Sequence, residues 1–191
     1  MALERSEAEV RRASDAAFDA VHVIALRGVV PRLGPDGREL LDAGLVAPVE
    51  GGFRLTAAGH SSHRALLERE RATLDLNRLE MVYAPLGGLA PVLARVRRAW
   101  RQPLGTLARR RLVVQLCDLV DDTAPVLRRA VAIAPRFSGY LPRLNAAAAQ
   151  LCAGQLEYAC ATDLDSVDAV WQELHEDFLQ TLGRAQDVDE L

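Results

Sequence analysis

The sequence predicts a mainly α protein with one short β-hairpin near its start. Apolar residues recur at helical spacing through most of the 191 positions. Two short β-prone runs, Leu45–Val49 and Phe53–Thr56, flank Glu50-Gly51-Gly52, and glycine at a hairpin tip supplies the positive φ of a tight turn. Half of the residues, 50%, are hydrophobic, enough for one sizeable core or one core plus a small appended domain.

Taken in order, Ser6 and Glu9 form a capping-box signature, and Val10, Ala13, Ala17, Phe18, Val21, Ile24 and Ala25 follow helical spacing up to Gly28. A short helix is predicted from the Pro35-Asp36 turn to Ala43, with Gly44 as its left-handed cap. The hairpin follows, and Thr56 is placed to cap the next helix through its hydroxyl. Helix, short helix, hairpin and long helix, in that order, make a winged helix.

Beyond the hairpin the pattern is helical. One helix is expected over Ala57–Asn77 and a second over Leu79–Trp100, with a kink or break near Ala84–Pro91, where Pro85, Gly87, Gly88 and Pro91 fall. Leu104–Ala134 reads as a helix with an interruption at Pro125. A turn at Ala134-Pro135 leads to a helix over Gly139–Cys152. The last helix, Ser166–Leu182, carries Val167, Val170, Trp171, Leu174, Phe178 and Leu182 on one face. The division is then a degenerate winged-helix domain at 1–60 and a helical bundle with dimerising helices at 61–191.

The stretches VHVIALRGV (Val21–Val29), LLDAGLV (Leu40–Val46) and FRLTAAG (Phe53–Gly59) resemble the start of a MarR-type regulator. Tyr83 and Trp100, PRFSGYLPRL at Pro135–Leu144 and VWQELHEDFL at Val170–Leu179 resemble an all-helical module. That module follows such winged helices in small regulator-like proteins, and it is also appended to pyruvate phosphate dikinase-like, phosphoenolpyruvate-utilising proteins. The resemblance implies a dimeric, DNA-binding regulator.

The residues depart from that pattern where DNA would be read. A helix-turn-helix sets one helix across the backbone and a second in the major groove, yet the eight residues Val29–Asp36, with Pro31 and Pro35 among them, are too few for the intermediate helix. The reader spans about two turns and carries Asp36, Glu39 and Asp42 against Arg38. Net charge is −2 over residues 1–60, +7 over 61–111 and −8 over 112–191, whereas a DNA-binding domain concentrates its basic residues on phosphate.

All 23 basic residues are Arg, a sign of GC-rich coding more than of function. Cys117, Cys152 and Cys160 are odd in number and widely spaced, with no signal peptide before them, so a cytoplasmic protein is expected. No apolar run reads as long enough to cross a bilayer. Walker, dinucleotide-binding, nucleophile-elbow and paired-cysteine motifs are missing, so no cofactor is expected and catalytic activity is left open.

The candidate ligand-binding residues are Tyr83, Trp100, Trp171, His175 and Phe178, with packing in the core as the favoured alternative for these side chains. His175 lies between Trp171 and Phe178 at the edge of the buried stripe, where a perturbed imidazole serves as a base or ligand anchor, or simply makes a structural hydrogen bond. The anion or nucleic-acid candidates are Arg38, Arg54, Arg95, Arg97, Arg98 and Arg101. The bland alternative is that the Arg run pairs with the acidic last third of the chain or of a dimer mate. His60 and His63 stand three apart on a helix, but a zinc site needs three or four ligands, and no metal is expected.

Three functions fit. The first is a non-enzymatic regulatory or interaction protein on a winged-helix scaffold with an impaired base-reading helix, and its partners are a second copy of the chain and a small molecule or another protein. The second is a MarR-like DNA-binding regulator, disfavoured by the acidic reader. The third is a small-molecule-binding protein or enzyme using a cavity between the 84–91 segment and the last helix.

Overall fold

A computed structural model describes residues 18–162 and 165–184. The chain forms two compact units, Met1–Thr73 and Leu74–Leu191. It is mainly helical, with one two-stranded antiparallel hairpin among the described residues.

In the first unit, α1 is described over 18–27 and ends at Gly28, as the spacing predicts, with Gly28 at a left-handed φ of 72°. The capping box at Ser6 and Glu9, with Val10, Ala13 and Ala17, lies outside the described residues. No helix forms over 28–36. Instead Val30 bridges to Phe53, its N–H donating to the Phe53 carbonyl at 2.9 Å and its carbonyl accepting the Phe53 N–H at 2.8 Å. Then come α2 (Gly37–Asp42), closed by Gly44 at φ 67°, and the hairpin of β1 (Val46–Val49) and β2 (Gly52–Leu55), in which Val46 pairs with Leu55 and Val49 with Gly52.

Gly52 is required twice over. Its φ is +148°, and a Cβ there would lie 2.0 Å from the Val30 carbonyl oxygen. Thr56 caps α3 (Ala57–Arg71) as expected: its hydroxyl oxygen accepts the Gly59 N–H at 3.1 Å and donates to the Gly44 carbonyl at 2.7 Å, tying the start of α3 to the end of α2. The core gathers Val21, Ile24, Val30, Leu40, Val46 and Leu55. Because α3 belongs to this unit, the unit runs past residue 60 to Thr73. The helix expected to reach Asn77 stops at Arg71, since the Asp75 carboxylate accepts the Arg78 N–H at 3.0 Å and starts a new helix.

The second unit contains α4 (Leu76–Trp100), α5 (Thr106–Val131), a 3-10 turn at Pro135–Gly139, α6 (Tyr140–Cys152), a second 3-10 turn at Leu156–Ala159, and α7 (Val167–Leu182). Within it α4 packs on α5 and α7, and α6 packs on α5 and α7. The break expected at Ala84–Pro91 does not occur: α4 is one continuous helix. Pro85 and Pro91 are both exposed, so the helix carbonyls they leave unpaired lie on the solvent side. Burial of Leu79, Val82, Tyr83, Leu86, Leu93 and Val96 on the opposite face contributes roughly 1.5–3 kcal/mol per side chain, which outweighs about 3 kcal/mol per interior proline. For the same reason α5 runs through Pro125, which is also exposed.

The 25 residues of α4 are also, by length and composition, enough to cross a membrane, contrary to the sequence reading. Its apolar side chains instead form part of a core with Leu116, Leu127, Phe137, Leu144, Leu174 and Phe178. Helix α7 spends its apolar face on that same core, with Val167, Val170, Leu174 and Phe178 fully buried.

Candidate ligand cleft

The end of α4 supplies one wall of a cleft. Leu93 and Val96 face the core, and this rotation sets Arg97, Trp100 and Arg101 along the neighbouring stripe. Ser166 starts α7 opposite: its hydroxyl oxygen accepts the Ala169 N–H at 3.1 Å and donates to the Ala161 carbonyl at 2.7 Å. That cap projects Asp168 and Gln172 toward α4. Arg97 grips Asp168 with two nitrogens, Nε at 3.0 Å from Oδ2 and Nη2 at 2.7 Å from Oδ1, and Gln172 Nε2 donates to Oδ1 at 3.2 Å. The turn at Leu156–Ala159 closes the third side with Leu156, Glu157, Cys160 and Thr162, leaving a cleft of about 350 Å³.

Asp168 neutralises Arg97. Arg101 is exposed and has no carboxylate partner among the described residues, so it is the cation this cleft presents. Trp100 offers a half-buried ring, and the Arg109 guanidinium lies 5.2 Å from its centroid. Burial first, and Asp168 second, push the Cys160 thiol up to about 11 against the pull of Arg97 and Arg101.

The sequence candidates do not converge on a single cavity. Tyr83, Trp171 and Phe178 are core residues. The Trp171 indole N–H donates to Thr123 Oγ1 at 3.2 Å, and Thr123 donates in turn to the Leu119 carbonyl at 2.7 Å. His175 is half-buried, its ring 5.2 Å from Trp171 and 5.7 Å from Tyr83, with the Tyr83 hydroxyl 3.3 Å from Nδ1. Desolvation lowers its pKa below the ordinary 6.5, opposed by Glu176. Burial raises the Tyr83 phenol, with Arg184 opposing and Glu80 adding. Stacked rings therefore occupy the space between Tyr83 and the Trp171–Phe178 face. Only Trp100 of the five lines the cleft.

Of the arginines, Arg38 is 92% exposed beside Asp42 on α2, and Arg54 is exposed on β2. Arg95 and Arg98 are exposed on α4, in the other unit. The bland alternative holds for Arg97, which pairs with the acidic last third. His60 and His63 do not share a face toward one ion: His60 is exposed, whereas His63 is buried with Nε2 2.8 Å from His22 Nδ1. Among the described residues, no group of three or more His, Cys, Asp or Glu is placed to hold a metal.

A buried ladder on α7 escaped the sequence reading. Asp177 receives Arg136 and the Tyr140 hydroxyl, Thr181 receives Arg136, and Glu173 receives Arg143 at 2.7 and 2.8 Å. Phe137 stacks on Phe178 with centroids 4.4 Å apart. PRFSGYLPRL and VWQELHEDFL are thus two halves of one interface. Its signal in the sequence was the four-residue recurrence Glu173, Asp177, Thr181, which puts all three on one stripe. Burial and the Asp177 and Glu173 carboxylates raise the Tyr140 phenol far above its ordinary value. Burial disfavours the Arg143 cation, but hydrogen bonds to Glu173 and Asp165 more than offset it.

No protein-family model, curated protein or solved structure matches this chain.

Proposed function

We propose that the chain is a non-enzymatic regulatory or interaction protein, built on a winged-helix-type first unit that does not read DNA bases. The order α1, α2, β1, β2, α3 supports the scaffold, as does the Val30–Phe53 bridge, which adds a third short strand position to the hairpin. The observation that carries the loss of base reading is α2 itself. It has six residues, Gly37–Asp42, no helix over 28–36 to brace it, and its Arg38 shared with Asp42 at 4.0 Å. Carboxylates at Asp36, Glu39 and Asp42 would meet phosphate with repulsion.

The test is a selection from random duplexes followed by fluorescence anisotropy in competitor DNA. The expected result is weak binding without sequence preference that vanishes as salt rises. Tight, competitor-resistant binding of one selected sequence would overturn the proposal in favour of a MarR-like DNA-binding regulator.

A second reading concerns what the helical unit senses, and the cleft at Trp100 favours it. The volume of about 350 Å³ suits a small molecule; the Trp100 ring suits a planar one, Arg101 pairs with a carboxylate on it, and the Glu157 carboxylate in the same lining accepts from a donor group, as in an aromatic carboxylate that also carries an amine or hydroxyl. A symmetric homodimer belongs to the same proposal. Met81, Leu107 and Val114, 69%, 74% and 57% exposed, are the apolar side chains that a second copy would cover.

A further inference from the structure

Helices α5 and α6 meet along a seam of buried leucines, among them Leu116 and Leu151, 0% and 2% exposed. Each of these two is followed directly by a cysteine. Because the leucines fix the rotation of both helices, the residues one step on emerge together at the rim of the seam. Cys117 is half-buried and Cys152 is exposed, and both are free thiols whose sulfurs lie 3.6 Å apart across 35 residues of sequence. A disulfide needs an S–S distance of about 2.0 Å, so the two side chains must turn toward each other for the bond to form.

We infer that Cys117 and Cys152 form a reversible disulfide by exchange with small-molecule disulfides, a covalent clasp between α5 and α6. The exposed Cys152 thiolate attacks one sulfur of the small disulfide. That S–S bond breaks, one small thiolate leaves, and Cys152 carries the other half as a mixed disulfide. Cys117 then gives its proton to water and attacks the Cys152 sulfur. The protein S–S bond forms, the second small thiolate leaves, and it takes up a proton. The two protein thiols lose two electrons and two protons, and the small disulfide becomes two thiols.

The neighbourhood assigns the two roles. Burial, the Cys152 contact and the carboxylates of Asp121 and Asp118 push the Cys117 thiol up to about 11, so Cys152 attacks first; the part of that rise that comes from Cys152 ends once Cys152 sits in the mixed disulfide, and Cys117 then resolves it. The same carboxylates favour a cationic disulfide over an anionic one. Cystamine is therefore the probe. The third cysteine, Cys160, lines the cleft at Trp100 and is removed in the test by Cys160→Ser.

The full-length Cys160→Ser protein is treated with cystamine, freed of excess reagent and examined by intact mass and thermal melting. The expected product has lost two hydrogens, retains no cystamine half, melts several degrees higher because the cross-link restricts the unfolded chain, and reverts with dithiothreitol. In the same background Cys117→Ser is expected to retain one cystamine half on Cys152 and to gain no thermal stability. A stable cystamine adduct on the Cys160→Ser protein, or a covalent dimer through Cys152, would overturn the inference.

Discussion

The Tyr140 hydroxyl donates to Oδ2 of Asp177 at 2.8 Å, while Arg136 binds the other oxygen of the same carboxylate. Asp177 is 1% exposed, and its burial is compensated because both oxygens are occupied, one of them by the Arg136 guanidinium. One side chain thereby joins α7 to the turn at Pro135–Gly139 and to the first residue of α6.

Asp177→Ala is expected to destabilise the second unit by about 3–5 kcal/mol, because it strands a buried guanidinium. The paired replacement Arg136→Met with Asp177→Leu removes both charges and is expected to cost much less. Urea unfolding followed by far-UV circular dichroism measures both. Equal losses in the two proteins would show that the ion pair itself, and not the orphaned charge, sets the cost.

Trp171→Ala is expected to cost about 3–5 kcal/mol, since its ring is 2% exposed and its N–H is satisfied by Thr123. His175→Ala is expected to lower the melting temperature as well, because its ring is stacked on both Tyr83 and Trp171. If His175→Ala left melting unchanged and abolished ligand protection in a thermal-shift screen, the packing role would give way to a binding one.

His175 also sets a pH dependence. Its folded pKa lies below the ordinary 6.5, so between the two values the unfolded chain binds more protons than the folded one. The stability it contributes is fully present above 6.5 and is lost as pH falls through the folded value. Melting temperature should therefore decline on acidification below 6.5, and less so in His175→Gln. An identical decline in both proteins would assign the effect to other groups.

Gly52→Ala is expected to disrupt the first unit, since the added methyl group would collide with the Val30 carbonyl and the backbone would be strained at positive φ. Gly51→Ala, where nothing stands within 4 Å of the new atom but φ is +86°, should cost less. Comparable melting of the two variants would discount the close approach to Val30.

In the cleft, Arg101→Ala is expected to abolish protection by aromatic carboxylates in a thermal-shift screen while leaving the unliganded melting temperature nearly unchanged. Arg97→Ala should lower that temperature itself, because it leaves Asp168, 6% exposed, without its cation. Unimpaired carboxylate protection in Arg101→Ala would remove the cleft from consideration.

Local rules alone determined much of this fold. Thr56 and Ser166 satisfy the first N–H groups of their helices, Gly28 and Gly44 stop theirs at positive φ, and Gly51 turns the hairpin; each effect acts over a few residues and is written in the residue type. The apolar face of α7 was legible in the same way, because a period of 3.6 residues is a property of the chain. Tertiary structure decided what depends on partners far along the sequence. Pro85, Pro91 and Pro125 failed to break their helices because packing on the opposite faces exceeds the cost of the lost hydrogen bonds. Which acid meets which arginine, Asp168 with Arg97 across 71 residues or Asp177 with Arg136 across 41, was equally beyond reach, since charge carries no address until the helices dock. The same docking set Tyr83 in one core with Trp171 and Phe178, whose place on the buried face of α7 the residue spacing already indicated, and left Trp100 and Arg101 lining the cleft.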